Sequence, residues 1–285
     1  MISKLLEKYP APVVIGGVGG SGTRLIAQCL KEVGFYIGSD LNVANDNLWF
    51  TLLFKRIEIL DVSDSEFDEL VDIFFKAMTG SGPFTEVQVN IIKDLASLGR
   101  EQHPAKWLRE RANTLLSEKR MIEPNMNWGW KEPNTHVVID RLRKSLPNMK
   151  YIHVMRNGLD MAHSTNQNQL KLWGKHFIGS NYQISPFYSL KYWCVVHQRV
   201  LEIGTSIGND FLLLNFDNFT MQPEKGIEEL LMFLGLDVTT TQINMLSRLI
   251  KIPESIGRFK KHGINIFDEA DVAFVKQLGF VTDTE

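Results

Sequence analysis

Residues 13–30 read VVIGGVGGSGTRLIAQCL, and Gly16, Gly17, Gly19, Gly20 and Gly22 crowd its centre beside Ser21, Thr23 and Arg24. Glycine removes the Cβ where a backbone has to approach a ligand closely. N–H groups that open a helix point at an anion from the positive end of the helix dipole. The N–H groups of residues 20–24, with the hydroxyls of Ser21 and Thr23, therefore suit a phosphate or sulfate. Gly19, Gly20, Ser21, Gly22, Thr23 and Arg24 are its expected contacts. A second anion signal is VMRNGLDMAHS, where Arg156 follows an apolar run and Ser164 stands eight positions later. A guanidinium offers a planar fork to phosphate and serine a compact hydroxyl. By itself this spacing is weak, and an ordinary surface arginine is its commoner explanation. Together the two signals call for a ligand with two separate phosphate groups.

The elements that position these residues follow from pattern. Residues 13–16 predict a short buried strand, and 23–33 an amphipathic helix carrying Leu25, Ile26, Cys29, Leu30 and Val33, stopped at Gly34. GFYIG predicts a second short strand. Residues 45–120 are helix-rich, broken at TGSGP and EQHPAKW, and read as a helical insertion. A helix is expected over 135–146, a buried strand over 150–156 ending in the turn NGLD, helices over 187–203 and 224–235, and a strand over 210–217. If 159–164 begin a helix, Arg156 and Ser164 converge near the strand's carboxyl end, where open α/β sheets bind ligands. The fold class is α/β, a P-loop-like central parallel sheet flanked by helices with a helical insertion, in one domain over 1–285.

The chain has 285 residues, 44% hydrophobic and 22% charged, with a net charge of −2, so no global field draws nucleic acid or an anionic membrane. Cys29 and Cys194 are the only cysteines and supply neither a disulfide framework nor metal-ligand spacing. MISKLLEKYPAP carries no signal-peptide pattern, and no apolar stretch approaches the roughly 20 residues of a membrane helix. The expectation is a cytoplasmic protein.

A nucleotide-hydrolysing loop of the form G-x-x-x-x-G-K-[ST] shares the spacing of Gly17 and Gly22, but Thr23 and Arg24 replace its lysine and its metal-binding hydroxyl. FLLLNFD, ending in Asp217, keeps a P-loop kinase or NTPase open as an alternative. Taken in order, IGGVGGSGTRL, the GWKEP segment that leads to VMRNGLDMAHS, LLLNFDNFTMQPEKGIEELLMFLGL and SIGRFKK resemble the sulfotransferases that use 3′-phosphoadenosine 5′-phosphosulfate, in particular the tyrosylprotein-type and related bacterial branch.

The resemblance implies in-line transfer of a sulfuryl group to an acceptor hydroxyl or amine, without a metal. The glycine loop would hold the donor's 5′-phosphosulfate, Arg156 and Ser164 its 3′-phosphate, and Arg258, Lys260 and Lys261 would be lid contacts. Many relatives carry Lys or Arg where this chain has Gly20, so the leaving-group cation must come from elsewhere. Lys131 of GWKEP is the first choice and Arg24 the second, the plain alternative being a surface Lys131 paired with Glu132. For the base, GSDLNVANDNLWF offers Asp40, the preferred residue, and Asp46, and other relatives use a histidine, which keeps His103, His136 and His163 open. WFTLLF with Trp107, Trp128 and Trp130 would line an apolar acceptor pocket or fill the core. A small molecule, a glycan and a peptide all remain open as acceptor, as does a non-catalytic nucleotide-binding member, which Gly20 favours.

Overall fold

A computed structural model describes residues 7–119 and 121–283; residues 1–6, on which the leader reading partly rests, lie outside them. The elements in chain order begin with β1 (Val13–Gly17), α1 (Thr23–Glu32) and α2 (Leu48–Phe54). Next come α3 (Asp64–Thr79), α4 (Glu86–Ser97), α5 (Ala105–Ser117), β2 (Gly129–Lys131), α6 (Ile139–Ser145) and β3 (Lys150–Met155). The chain continues through α7 (Gly158–Ala162), α8 (Asn168–Ile178), α9 (Pro186–Ile207), β4 (Phe211–Asn215) and α10 (Phe216–Met221). The last three helices are α11 (Pro223–Leu234), α12 (Thr240–Ser247) and α13 (Glu269–Gln277). The strands form a parallel sheet in the order β2-β1-β3-β4, flanked by helices. No helix among the described residues is long and apolar enough to cross a membrane.

The chain divides into two compact units, and the division runs through β1. One unit comprises Met1–Val14 and Leu30–Lys150, the other Ile15–Cys29 and Tyr151–Glu285.

In the first unit, the start of β1 lies against β2, with the Val13 N–H donating to the Trp128 carbonyl at 3.0 Å. Gly129 permits this approach, because a Cβ there would lie 2.7 Å from the Val13 carbonyl carbon. GFYIG makes one bridge, Tyr36 to Trp128, in place of the expected strand. Gly34 and Gly38, at φ 88° and 114°, bracket it and leave too few extended residues for more. Residues 45–120 are helical as expected. Helix α3 opens on a Ser63–Glu66 capping box and closes at Gly80 with φ 68°, so both sets of terminal groups are satisfied. Its core is aromatic: Phe50 stacks on Trp130 with ring centroids 5.9 Å apart, and Phe74 meets Trp130 edge-on at 5.0 Å. GWKEP contains β2, a strand the pattern did not predict. The helix expected over 135–146 splits into a 3-10 turn, Pro133–Val137, and α6.

In the second unit β3 and β4 pair in parallel from Tyr151↔Phe211 to Met155↔Asn215. Arg156 and Phe216 thus leave neighbouring strands at the same carboxyl edge. Helix α11 ends at Gly235 with φ 75°, as its sequence predicts. Helices α8, α12 and α13 were not foreseen.

Candidate active site

The glycine turn belongs to the second unit. Its tip, Gly20, is exposed with φ 97°, and a Cβ there would have no neighbour within 4 Å, so the turn opens on clear space. Below the tip the packing is tight. A Cβ on Gly17 would come within 2.6 Å of both Ser21 Oγ and the Val154 carbonyl, and one on Gly22 would enter the Phe216 ring. Ser21 N–H donates to Val18 O at 3.0 Å and Leu25 N–H to Gly22 O at 3.0 Å. The N–H groups of Gly20, Gly22, Thr23 and Arg24 have no acceptor among the described residues. The Ser21 hydroxyl is fully buried and has no partner among the described residues. Buried polar groups are normally satisfied, so a set of aligned donors and an orphaned hydroxyl in one turn fits an anion of the phosphosulfate class. The Arg24 side chain is exposed in the first turn of α1.

Gly22→Ala is expected to cost about 3 kcal/mol, because it adds overpacking against Phe216 to a φ of 97° that side chains avoid. The urea midpoint reads this, and a change under about 0.5 kcal/mol would show that the turn repacks freely.

Arg156 reaches this turn. Its Nη1 donates to Gly20 O at 3.5 Å, its Nη2 to Ser255 Oγ at 2.6 Å, and its Nε lies 3.9 Å from Asp217 Oδ1. Burial pulls the guanidinium down from its ordinary range while Asp217 and Asp160 push it back up. Burial likewise pushes the Asp217 carboxyl up to about 6, against Arg156 and the Asn157 N–H, which favour its charged form. Residues 159–164 do not begin a continuing helix: α7 ends at Ala162, and Ser164 sits half-buried in the following turn, its Oγ accepting the Asn166 N–H at 3.2 Å.

The segment 255–261 folds onto the same region. Asp160, buried in α7, accepts the Gly257 N–H at 2.8 Å and the Phe259 N–H at 3.0 Å. Arg258 Nη1 donates to His163 O at 3.4 Å. Ser255, Arg258, Arg156 and Ser164 are thereby gathered around α7, while Lys260 and Lys261 lie exposed on the 3-10 turn Arg258–Lys261. Sequence reasoning missed Asp160 as the residue that pins this segment, although NGLD displayed it. It also missed Gln169, whose Nε2 donates to Gly17 O at 3.2 Å.

The other candidates, His163 apart, lie in the first unit. Lys131 ends β2 almost fully buried, and its ammonium donates to Ala44 O at 3.2 Å and to the Asp46 carboxylate. The plain alternative, a surface Lys131 paired with Glu132, is not what forms. Successive residues of an extended chain point to opposite faces. Glu132 turns instead to Lys55 at 3.6 Å and accepts from the Asn134 backbone and side chain. Burial raises the Glu132 carboxyl above its usual range, with Lys55 opposing. Asp40 is tied to α5: its Oδ2 accepts the Thr114 hydroxyl at 2.5 Å and lies 3.3 Å from Arg111 Nε.

A cavity of about 500 Å³ lies in this unit, lined by Asp46, Thr51, Lys55, His103, Trp107 and Arg111 among others. Leu48, Thr51 and Lys55 face it at i, i+3 and i+7 along α2 and just past its end. Trp49, Phe50 and Phe54 therefore turn into the core with Trp128 and Trp130, and of the aromatics considered for a pocket only Trp107 reaches the cavity. His103 lies against Trp107 with ring centroids 4.7 Å apart. Burial, then Lys55 and Arg100, lower it to about 4, so its imidazole is neutral at pH 7. His136 is fully buried, and His163 stacks on His262 at 4.2 Å.

Comparison with known proteins agrees with this architecture. No curated protein matches the chain. Two solved structures cover it almost entirely, each at 14% identity. The sulfotransferase domain of an olefin synthase from Synechococcus PCC 7002 has a TM-score of 0.51 and covers 96% of this chain and 95% of its own. The sulfotransferase domain of the curacin biosynthetic pathway has a TM-score of 0.50, covering 96% of this chain and 99% of its own. Both share the fold. The model of the sulfotransferase family matches residues 12–240. With that match across most of its length, the chain belongs to the sulfotransferase family, enzymes that move a sulfuryl group from 3′-phosphoadenosine 5′-phosphosulfate to an acceptor.

Proposed function

We propose that residues 1–285 act as one catalytic domain and that the second unit grips the donor at both ends. The N–H groups and hydroxyls of Gly19–Arg24 take the 5′-phosphosulfate. Arg156, Ser164, Arg258 and Lys260 take the 3′-phosphate. The observation that carries this is Arg156, which leaves β3 at its carboxyl edge and reaches Gly20 of the turn.

The transfer develops negative charge on the leaving oxygen and requires a proton to leave the acceptor, so it needs a cation and a base. Phosphoryl transfer, a close analogue, relies mainly on positioning and electrostatics. Lys131 is assigned the leaving oxygen, from the resemblance of GWKEP and from its buried, oriented ammonium, with the exposed Arg24 second. For the base, Asp46 is favoured over Asp40. Both carboxylates are held, Asp46 by Lys131 and the Asn42 amide and Asp40 by Thr114 and Arg111, but only Asp46 lines the cavity. The acceptor, a small molecule, glycan or peptide, enters the Asp46 cavity. Cys29 and Cys194 are buried thiols, which suits a reducing cytoplasm. A kinase reading would use Asp217 on a metal, but that carboxylate faces Arg156 and accepts the Asn157 N–H at 3.3 Å.

A thermal-shift comparison tests the donor assignment. A ligand present at a hundredfold over its Kd stabilises by about 2.7 kcal/mol, a Tm rise of roughly 5 °C. The rise is expected with 3′,5′-adenosine bisphosphate in the absence of magnesium. A larger rise with ATP and magnesium would overturn the assignment.

A further inference from the structure

Cations outnumber carboxylates in the lining of the first unit's cavity, the partner carboxylates Glu132 and Asp40 lying outside that lining. Its one acidic lining residue, Asp46, is taken up by Lys131. Two cations also line it, and both are incompletely satisfied. The Lys55 side chain is 18% exposed, and its ammonium stands 3.6 Å from Glu132 and donates no hydrogen bond to the described residues. Glu132 meanwhile accepts twice from Asn134. Arg111 lies 3.3 Å from an Asp40 oxygen that already accepts from Thr114, and 3.7 Å from the outer Glu110; its Nη1 has no acceptor among the described residues. Half-buried cations with unused donors are costly unless an anion meets them. The depressed His103 reports the same positive surroundings, since Lys55 and Arg100 add to the effect of burial. Leu41, Val43 and Leu48 supply an apolar wall, and Val43 is 92% exposed.

We infer that this cavity selects acceptors bearing an oxyanion, carboxylate or phosphate, which Lys55 and Arg111 receive while Leu41, Val43 and Leu48 cover the hydrocarbon part. The inference rests on the assignment of the cavity to the acceptor. An acceptor of this kind would meet two cations at one end and present its hydroxyl or amine to Asp46 at the other. The anion then decides which compounds dwell in the site, and Asp46 decides which of their groups reacts.

The test compares para-hydroxyphenylacetate, para-hydroxyphenyl phosphate and neutral para-cresol as acceptors with the natural donor. At least one anionic phenol is expected to exceed para-cresol in kcat/KM by about tenfold or more, as charged hydrogen bonds allow. Which one does so separates a carboxylate site from a phosphate site. In Lys55→Met the anionic-to-neutral ratio is expected to fall about tenfold, chiefly through KM, and Lys55→Arg restores it. The arginine variant also guards against misfolding, since it keeps a cation opposite buried Glu132. Equal or better use of para-cresol, or an unchanged ratio in Lys55→Met, overturns the inference. So does transfer to none of the three by a protein that binds 3′,5′-adenosine bisphosphate. Failure to bind that bisphosphate overturns the donor assignment instead, and this inference falls with it.

Discussion

In Lys131→Ala, kcat is expected to fall between a hundredfold and a thousandfold, the cost of removing one preorganised donor from a developing negative charge, about 3–4 kcal/mol. The bisphosphate product is expected still to bind, weakened by about tenfold at most, because the glycine turn and Arg156 carry most of its charge. Pre-steady-state turnover and calorimetry on one preparation separate the two effects. A purely structural lysine behaves differently. Its removal leaves Asp46, 21% exposed, without its cation, and stability falls while turnover per folded molecule stays near wild type. If Lys131→Ala folds poorly, Lys131→Met keeps the buried aliphatic stem without the charge and leaves Asp46 in place. Turnover of Lys131→Ala within about fivefold of wild type would remove Lys131 from the chemistry.

Arg156→Gln is expected to act twice. Nucleotide affinity falls by about a hundredfold, the upper range for a charged, directed contact to phosphate. Folding stability falls as well, by about 3 kcal/mol at pH 8, because Asp217 is left as a buried carboxylate without its cation. The second effect depends on pH in a definite direction. In the folded wild type Asp217 titrates near 6, above its ordinary 3.8. Folding therefore favours its protonated form, so its ionisation destabilises the fold as pH rises through 6, and that cost is absent below about 4. Loss of Arg156 removes an interaction that lowers the Asp217 value, so the variant titrates higher still. Its stability deficit is expected to be largest above pH 7 and to shrink as pH falls through 6. Urea melts at pH 8 and pH 5 measure this. In Arg156→Gln with Asp217→Asn, stability is expected to recover and nucleotide affinity is not. A deficit that is the same at both pH values would show that the Arg156 contact does not act through the titration of Asp217.

Sequence and structure agree most closely where the signal is local. VVIGG, KYIHVM and FLLLN are short apolar runs bounded by turn residues, and each forms a strand within a residue or two of expectation. The helix after the glycine loop stops just before Gly34, where its stop signal stands. Agreement fails where local preference is weak. In β2 the run Gly129–Lys131 is too short to show a period, and its extended form depends on pairing rather than on propensity. Ser164 falls outside α7 because this five-residue helix is already ending at His163, and the backbone N–H of Asn166, two positions on, claims the serine oxygen.

The glycine turn, the strand that delivers Arg156 and the sulfotransferase family itself were legible in the residue order, because backbone conformation there follows from φ limits, turn chemistry and apolar runs that are all properties of adjacent residues. Which carboxylate meets which cation was not. Lys131 pairs with Asp46, Glu132 with Lys55, Asp40 with Arg111, and Asp160 with the backbone of residues 257 and 259. Most of these partners are tens of residues apart in the chain. Packing decides them, because a buried charge takes whatever counter-charge the fold brings within reach, and neither strand alternation nor helical spacing names that partner in advance.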